Sequence, residues 1–303
     1  MTMSLTEQAE ILASARKAGR ALREFPGDPP ANVDEAYRLQ GEVQAAMDEP
    51  VCGWKIGATS RSVQEAIGTA EPFAGPLYGP RCHGTGAELP VPEGVLGLEC
   101  EFAFRLARPL PPRPLPYAPE EVVEAVGSVH PAIELVGLCL PPEAFRDVRW
   151  CIADHALDVA FVAGAAIPDW HGLDLPALSV RCVINGKEVA VGNGAAVLGN
   201  PVTALTWLAN ALSRRGRGLL ADDWISTGTS VRASRPSDRG MWSRLCSAAP
   251  AASAWPSPAL NPNDAVRLMV DHALPASSRG VAAPRSCTVI LMSSAERSGV
   301  GRP

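Results

Sequence analysis

The chain has 303 residues, with 27 basic against 32 acidic side chains, 47% hydrophobic residues and a formal charge of −5. An acidic balance argues against nucleic acid or an anionic membrane surface as a partner, because both select basic patches. Charged residues make up 19% of the chain without a long like-sign run, so one large or two smaller globular domains are expected.

Only Lys17, Lys55 and Lys187 are lysines and the other basic residues are arginines, as the coding bias of GC-rich DNA would produce. A lysine kept in such a background raises a question about its chemistry. The opening MTMSLTEQAEILASARKAG lacks a basic segment followed by an apolar one, so no signal peptide is expected. The most apolar run, residues 156–167, is short of the roughly 20 residues that span a bilayer. Eight scattered cysteines include no Cys-x-x-Cys pair. They read as buried free thiols, and a cytoplasmic location is expected.

In chain order, residues 5–23 place Ile11, Ala15, Ala18 and Leu22 on one helical face. A Pro/Gly-rich segment ends that helix, and a second is expected from near Val33 toward Met47. Cys52–Ala58 reads as a strand. Ser62-x-x-Glu65 reads as a capping box opening a short helix that Gly68 closes. Residues 98–107 alternate, with Leu98, Cys100, Phe102, Phe104 and Leu106 on one face and Glu99, Glu101, Ala103 and Arg105 on the other, as in a half-buried strand. A proline-rich loop (109–119) and a helix from Glu120 to Val126 follow, then an apolar strand, His130 to Leu138, interrupted by Glu134. Asn185-Gly186 between Val180–Ile184 and Glu188–Val191 predicts a hairpin. Asn200-Pro201 opens a helix carrying Leu205, Leu208 and Leu212 on one face, and Ile225–Thr229 is a strand ending in a glycine turn. From residue 230 onward Ser, Ala, Pro and Arg dominate and lysine is absent. Periodicity survives there only near Ala265–Val270 and Thr288–Met292, so this tail is expected to be poorly ordered or marginally folded.

Glu99 and Glu101, at i and i+2, emerge on one strand face roughly 7 Å apart. Two carboxylates that close raise each other's pKa unless a cation lies between them, and a lone buried Glu134 is costly. Three carboxylates around one cation form a hard-oxygen site suited to Mg²⁺, Mn²⁺ or Ca²⁺. A solvated strand face, with Glu134 paired to an arginine, fits the same spacing. Lys55, in GWKIG, is either a snorkelling edge-strand lysine or a buried group with altered acidity. Neither a P-loop nor a strand followed by G-x-G-x-x-G is present.

Taken in order, several segments resemble the fumarylacetoacetate hydrolase superfamily, in its 2-keto-4-pentenoate hydratase / 4-oxalocrotonate decarboxylase branch. They are DEAYRLQ (34–40), GWKIGATSRSVQEAIG (53–68), EPFAGPLYG (71–79), LECEFAFRLARPLP (98–111), HPAIELVG (130–137), IADHALDVAFVAG (152–164), VINGKEV (183–189), GNGAAVLGNPVTALTWLAN (192–210) and ISTGT (225–229). The resemblance implies an α+β fold with a mixed β-roll or β-sandwich core and a small N-terminal helical part. The implied divisions are 1–50 helical, 51–229 catalytic core and 230–303 divergent tail.

By the same resemblance Glu99, Glu101 and Glu134 match the metal carboxylates, with Mg²⁺ or Mn²⁺ as cofactor. Lys55 matches the family lysine and Asp154 is a candidate base. Phe73, His155, Thr227, Gly228 and Thr229 border the substrate, His155 standing where the family has Asn. The implied activity is a hydro-lyase adding water to a 2-hydroxy-2,4-dienoate or 2-keto-4-enoate from aromatic meta-cleavage. Decarboxylation of a 4-oxalocrotonate and C–C hydrolysis of an acylpyruvate draw on the same enolate chemistry. A homo-oligomer is implied, and a complex with a related enzyme is conceivable. A non-catalytic partner role is the reading from a different class, and the retained Lys55 and glutamates argue against it. SVRASRPSDRGMWSRLCSAAP (230–250) departs from the family. A reading-frame shift would produce such a tail and leave closing strands missing; a lineage-specific extension is the alternative.

Overall fold

Helix α1 (Leu5–Lys17) starts at a reciprocal cap in which Ser4 Oγ accepts from Glu7 N and the Glu7 carboxylate accepts from Ser4 N. It stops at Lys17, short of the expected residue 23, because Gly19 turns the backbone into the left-handed region. Helix α2 (Val33–Met47) is capped by Asn32. The short α3 (Arg61–Ile67) starts two residues earlier than expected, with Ser60 rather than Ser62 as N-cap, and Gly68 closes it as expected. Helices α4 (Pro119–Ala125), α5 (Val148–Ala153) and α6 (Pro201–Arg214) complete the set among the described residues. The computed structural model describes residues 3–184, 187–234, 265–273 and 286–293.

The strands are β1 (Val51–Gly57), β2 (Phe73–Tyr78), β3 (Cys82–Gly84), β4 (Ala87–Pro90), β5 (Val95–Leu106), β6 (Val126–Gly137), β7 (Asp158–Ala163), β8 (Ser179–Ile184), β9 (Lys187–Asn193), β10 (Trp224–Ser234), β11 (Ala265–Ala273) and β12 (Ser286–Ser293). They form a seven-stranded sheet in the order β2-β1-β10-β5-β6-β7-β3 and a five-stranded sheet in the order β4-β11-β12-β8-β9. Parallel pairs β1/β10, β3/β7 and β12/β8 make both sheets mixed. The fold is thus the expected mixed β core with N-terminal helices. The hairpin turn at Asn185-Gly186 lies outside the described residues, although β8 and β9 pair as expected.

The main core lies against one face of the large sheet, where Trp54, Ile56, Phe102, Phe104, Ile133, Leu135 and Ile225 pack with residues of α6 and the five-stranded sheet. A second apolar cluster joins α1, α2 and α5 to Phe73, Tyr78, Phe145 and Leu157. Cover on both faces explains why β5 is buried along almost its whole length, a correction to the half-buried strand expected from alternation.

Past residue 230, β10 runs through the expected boundary, and β11 and β12, at the two stretches that kept some apolar periodicity, lie in the middle of the five-stranded sheet. The remainder of the tail, and any sign of a frame shift in it, lies outside the described residues. Strands β1 and β3 bring Cys52 and Cys82 side by side. Cys100, Cys139, Cys151 and Cys182 are buried free thiols as expected. Among the described residues no helix is long and apolar enough to cross a membrane.

The helical layer is held by apolar burial, and Leu39 on α2 is fully buried in it. Leu39→Ala is expected to lower unfolding stability by about 2–5 kcal/mol, read from urea denaturation.

Candidate metal centre and active site

The alternation that sends Trp54, Ile56, Ile133, Leu135 and Ile225 into the main core sends Lys55, Glu134 and Ser226 to the opposite face of the large sheet. Strand register then assembles the site. Glu99 is the Cα partner of Glu134, and Ser226 is the partner of both Lys55 and Ala103. Carboxylate oxygens of Glu99, Glu101 and Glu134 lie within 4.8 Å of one another, and all three residues are buried. The solvated-face reading of Glu99 and Glu101 is therefore excluded.

Lys55 is buried among them. Its Nζ donates to the Ala156 carbonyl at 2.8 Å and lies 3.0 Å from Glu134 Oε1. Burial works against the ammonium, but Glu134, Glu99 and Glu101 outweigh it and raise its pKa, so Lys55 is charged. Glu101 Oε2 accepts from Ser226 Oγ and, at 3.0 Å, from Gly228 N. Burial, then repulsion from Glu99, pushes the Glu101 carboxyl up to about 7 despite Lys55, Ser226 and Gly228. Glu134 is driven well above the usual carboxylate range, chiefly by burial and against the pull of Lys55.

The residues fit a divalent cation. Glu101 Oε1 is buried without a hydrogen-bond partner, and neither oxygen of Glu134 has a directed hydrogen bond, although one faces the Lys55 ammonium. Leaving buried acceptors unsatisfied is costly. Once ionised, three carboxylates with one ammonium carry an excess negative charge, which the raised pKa values of Glu101 and Glu134 reflect and which a hard cation would offset through oxygen ligands. Glu99, Glu101 and Glu134 would hold it.

Beside the carboxylates lies a cavity of about 270 Å³. Lys55, Thr59, Ser60, Glu99 and Thr229 are its polar lining, and Val63, Ile67, Phe73, Val136, Phe145 and Leu157 are among its apolar walls. A second cavity of about 310 Å³ opens around Arg16, Arg81 and Asp158 and holds none of the three carboxylates.

The expected site residues divide accordingly. Lys55, Glu99, Phe73 and Thr229 line the first cavity. Thr227 instead donates its hydroxyl to the Phe102 carbonyl at 2.8 Å, inside the sheet. Gly228 supports Glu101; its φ is +98°, and a Cβ there would stand 2.3 Å from Thr59 Oγ1. Asp154 and His155 do not line the cavity. Asp154 is fully buried, paired with Arg16, and accepts from Cys139 N at 2.8 Å and Cys139 Sγ at 2.9 Å. Its carboxylate is engaged by Arg16 and Cys139. The His155 ring meets Tyr78 Oη at 3.1 Å and is held neutral by burial and by the charge of Arg16.

Three site residues were missed by sequence reasoning. Ser226 could have been found from its alternation with Ile225, whereas nothing local marks Arg16 or the Ala156 carbonyl. His155, Ala156 and Leu157 all have positive φ, of 52°, 55° and 71°, which costs roughly 1–2 kcal/mol per residue.

The family model described as fumarylacetoacetate (FAA) hydrolase, C-terminal, matches residues 46–279, past the start of the altered tail. A 2-keto-4-pentenoate hydratase of Paraburkholderia xenovorans (strain LB400) is 33% identical over 229 residues, 73% of this chain and 83% of that protein. A 4-oxalocrotonate decarboxylase of Pseudomonas sp. is 27% identical over 237 residues, covering 76% and 90% of the two chains. The solved structure of 4-oxalocrotonate decarboxylase from Pseudomonas putida G7, complexed with magnesium and adipate, superposes with a TM-score of 0.63 at 24% identity. It covers 77% of this chain and 90% of that one, and shows the shared fold.

Calorimetric titration with Mg²⁺ or Mn²⁺ is expected to show one site that Glu101→Gln abolishes and Gly228→Ala weakens by about 10–100-fold. Protons compete for the same oxygens, so affinity rises with pH through about 7. For the metal-free protein the sign is fixed by a folded-state pKa above the ordinary 4.5. Stability from Glu101 is present below pH 4.5 and lost as pH rises through about 7, and thermal unfolding across that window with and without Mg²⁺ checks it.

Proposed function

The chain belongs to the fumarylacetoacetate hydrolase family, and from that premise we propose that it is a metal-dependent hydratase acting on a 2-hydroxy-2,4-dienoate from aromatic ring cleavage. The observation that carries this reading is a largely apolar cavity beside the three clustered carboxylates, into which Lys55, Glu99 and Thr229 bring polar groups. An acid with a carboxylate and an adjacent oxygen at one end and an unsaturated hydrocarbon chain at the other matches that polarity. Similarity to proteins named as hydratases over about three quarters of the chain supports the same choice.

Mg²⁺ or Mn²⁺ held by Glu99, Glu101 and Glu134 would supply Lewis-acid stabilisation of negative charge developing on the substrate's 2-oxygen. The chain's own contribution begins with Lys55. An ammonium has three N–H donors; one goes to Ala156 O and one faces Glu134, so the third is available to the cavity. Lys55 is therefore placed to give a proton to the terminal carbon C5 of the 2-hydroxydiene and to take back the proton that leaves the 2-hydroxyl, which yields the 2-keto-3-enoate. Conjugate addition of water then puts its oxygen on C4 and a proton on C3, next to the carbonyl. Phe73, Phe145, Val63 and Ile67 hold the hydrocarbon chain and limit bulk water around it.

With Mg²⁺, the purified protein is expected to consume 2-hydroxypenta-2,4-dienoate, with loss of the dienol absorbance and formation of the 4-hydroxy-2-oxo acid. Lys55→Met should lower kcat by about 10²–10⁴-fold. Release of CO₂ from 4-oxalocrotonate without dienoate hydration would replace this reading with a decarboxylase.

A further inference from the structure

We propose that Arg16, on helix α1, is a positioning residue for Lys55, acting through the turn of residues 154–158; the inference rests on Lys55 being catalytic as proposed above. Arg16 is buried and reaches both ends of that turn. Its Nη1 donates to the Asp154 carbonyl at 3.1 Å and to the Asp154 carboxylate, and its Nη2 donates to the Asp158 carbonyl. Between these two anchors lie His155, Ala156 and Leu157, three consecutive residues in the left-handed region that other L-residues seldom occupy. Such a run persists only where its surroundings over-determine it.

The contacts around the turn do so. Asp154, the clamp's counter-charge, is itself fixed by Cys139 N and Sγ. The His155 ring abuts Tyr78 Oη. Gly75 leaves room for the His155 carbonyl, which a Cβ would approach to 2.2 Å. Gln40 from α2 donates to the carbonyl of Ile152, just before the turn, at 2.7 Å and to Ala74 O at 2.9 Å.

The product of this arrangement is the outward-facing carbonyl of Ala156, which accepts from Lys55 Nζ at 2.8 Å, while Ala156 and Leu157 form part of the substrate cavity wall. A planar guanidinium can hold two carbonyls and a carboxylate at once in fixed geometry, and a point-charge ammonium cannot. The N-terminal helix therefore sets the direction of the catalytic ammonium without touching substrate, from a position 39 residues before Lys55.

The test uses the full chain and two readouts. Because the chain has only three lysines, ¹⁵N labelling at lysine Nζ gives a spectrum in which the buried Lys55 ammonium is separable from Lys17 and Lys187. In folded Arg16→Met, kcat for dienoate hydration is expected to fall about 10²-fold, the loss that a misplacement near 1 Å can cause. KM stays within about threefold, Mn²⁺ affinity is retained, and added guanidinium ion restores part of kcat. The Lys55 Nζ resonance should shift and exchange faster with water. An unchanged kcat in folded Arg16→Met, or an unmoved Lys55 resonance, overturns the proposal. Should Arg16→Met not fold, Arg16→Lys, which keeps the charge but not the fork, is expected to show the same selective loss of kcat, and wild-type kcat in that variant overturns it. If the wild-type chain hydrates no dienoate, the function reading fails on its own, and the Lys55 resonance in the variant still decides whether the clamp exists.

Discussion

Everything in this molecule is arranged around one electrostatic problem, the burial of three carboxylates and an ammonium on one face of a β-sheet. Removing each ion from water carries a penalty of several kcal/mol, which mutual attraction offsets only where geometry is good and hydrogen bonds are complete. Here they are incomplete: Glu101 keeps one unsatisfied oxygen, and Glu134 has no directed hydrogen bond. Buried carboxylate oxygens without hydrogen-bond partners are a poor way to stabilise a fold and a good way to attract a hard metal ion.

The rest of the architecture supports that compromise. One sheet face is committed to a large apolar core, which holds β1, β5, β6 and β10 in register and fixes the spacing of the charged groups on the other face. The N-terminal helices pack against α5 and the residues that follow it. They bring a second buried pair of charges, Arg16 and Asp154, against the back of the strained turn that meets Lys55. The two ion pairs thus have different work: the Lys55–Glu134 pair stands at the cavity and the Arg16–Asp154 pair fixes backbone.

Much of the site was legible from the chain alone. Glu-x-Glu in an alternating strand, a lone glutamate in PAIELVG and a lysine between glycines point to hard-oxygen chemistry, and family resemblance joins them into one site. Period-two alternation decides which side of each strand a residue occupies, so Glu99, Glu101 and Lys55 could be assigned to faces. What alternation does not encode is the cover on that face. The half-buried strand proved buried on both sides, with the Ala156–Leu157 segment lining the same cavity as Glu99 where solvent was expected. Asp154 shows a related limit: the partner of its carboxylate, Arg16, lies 138 positions earlier.

Composition and local pattern by themselves marked an acidic balance, most helix and strand positions, and Glu99, Glu101 and Glu134 as carboxylates in otherwise apolar strands. Those properties depend on residue type and on short-range periodicity, which the linear order preserves. Only the tertiary structure decided that Thr227 and Gly228 serve the sheet and Glu101, that two strands from the altered tail complete the smaller sheet, and that Arg16 stands behind Lys55. These depend on strand register and on contacts between residues far apart in sequence, whose energies exist only once packing has excluded water.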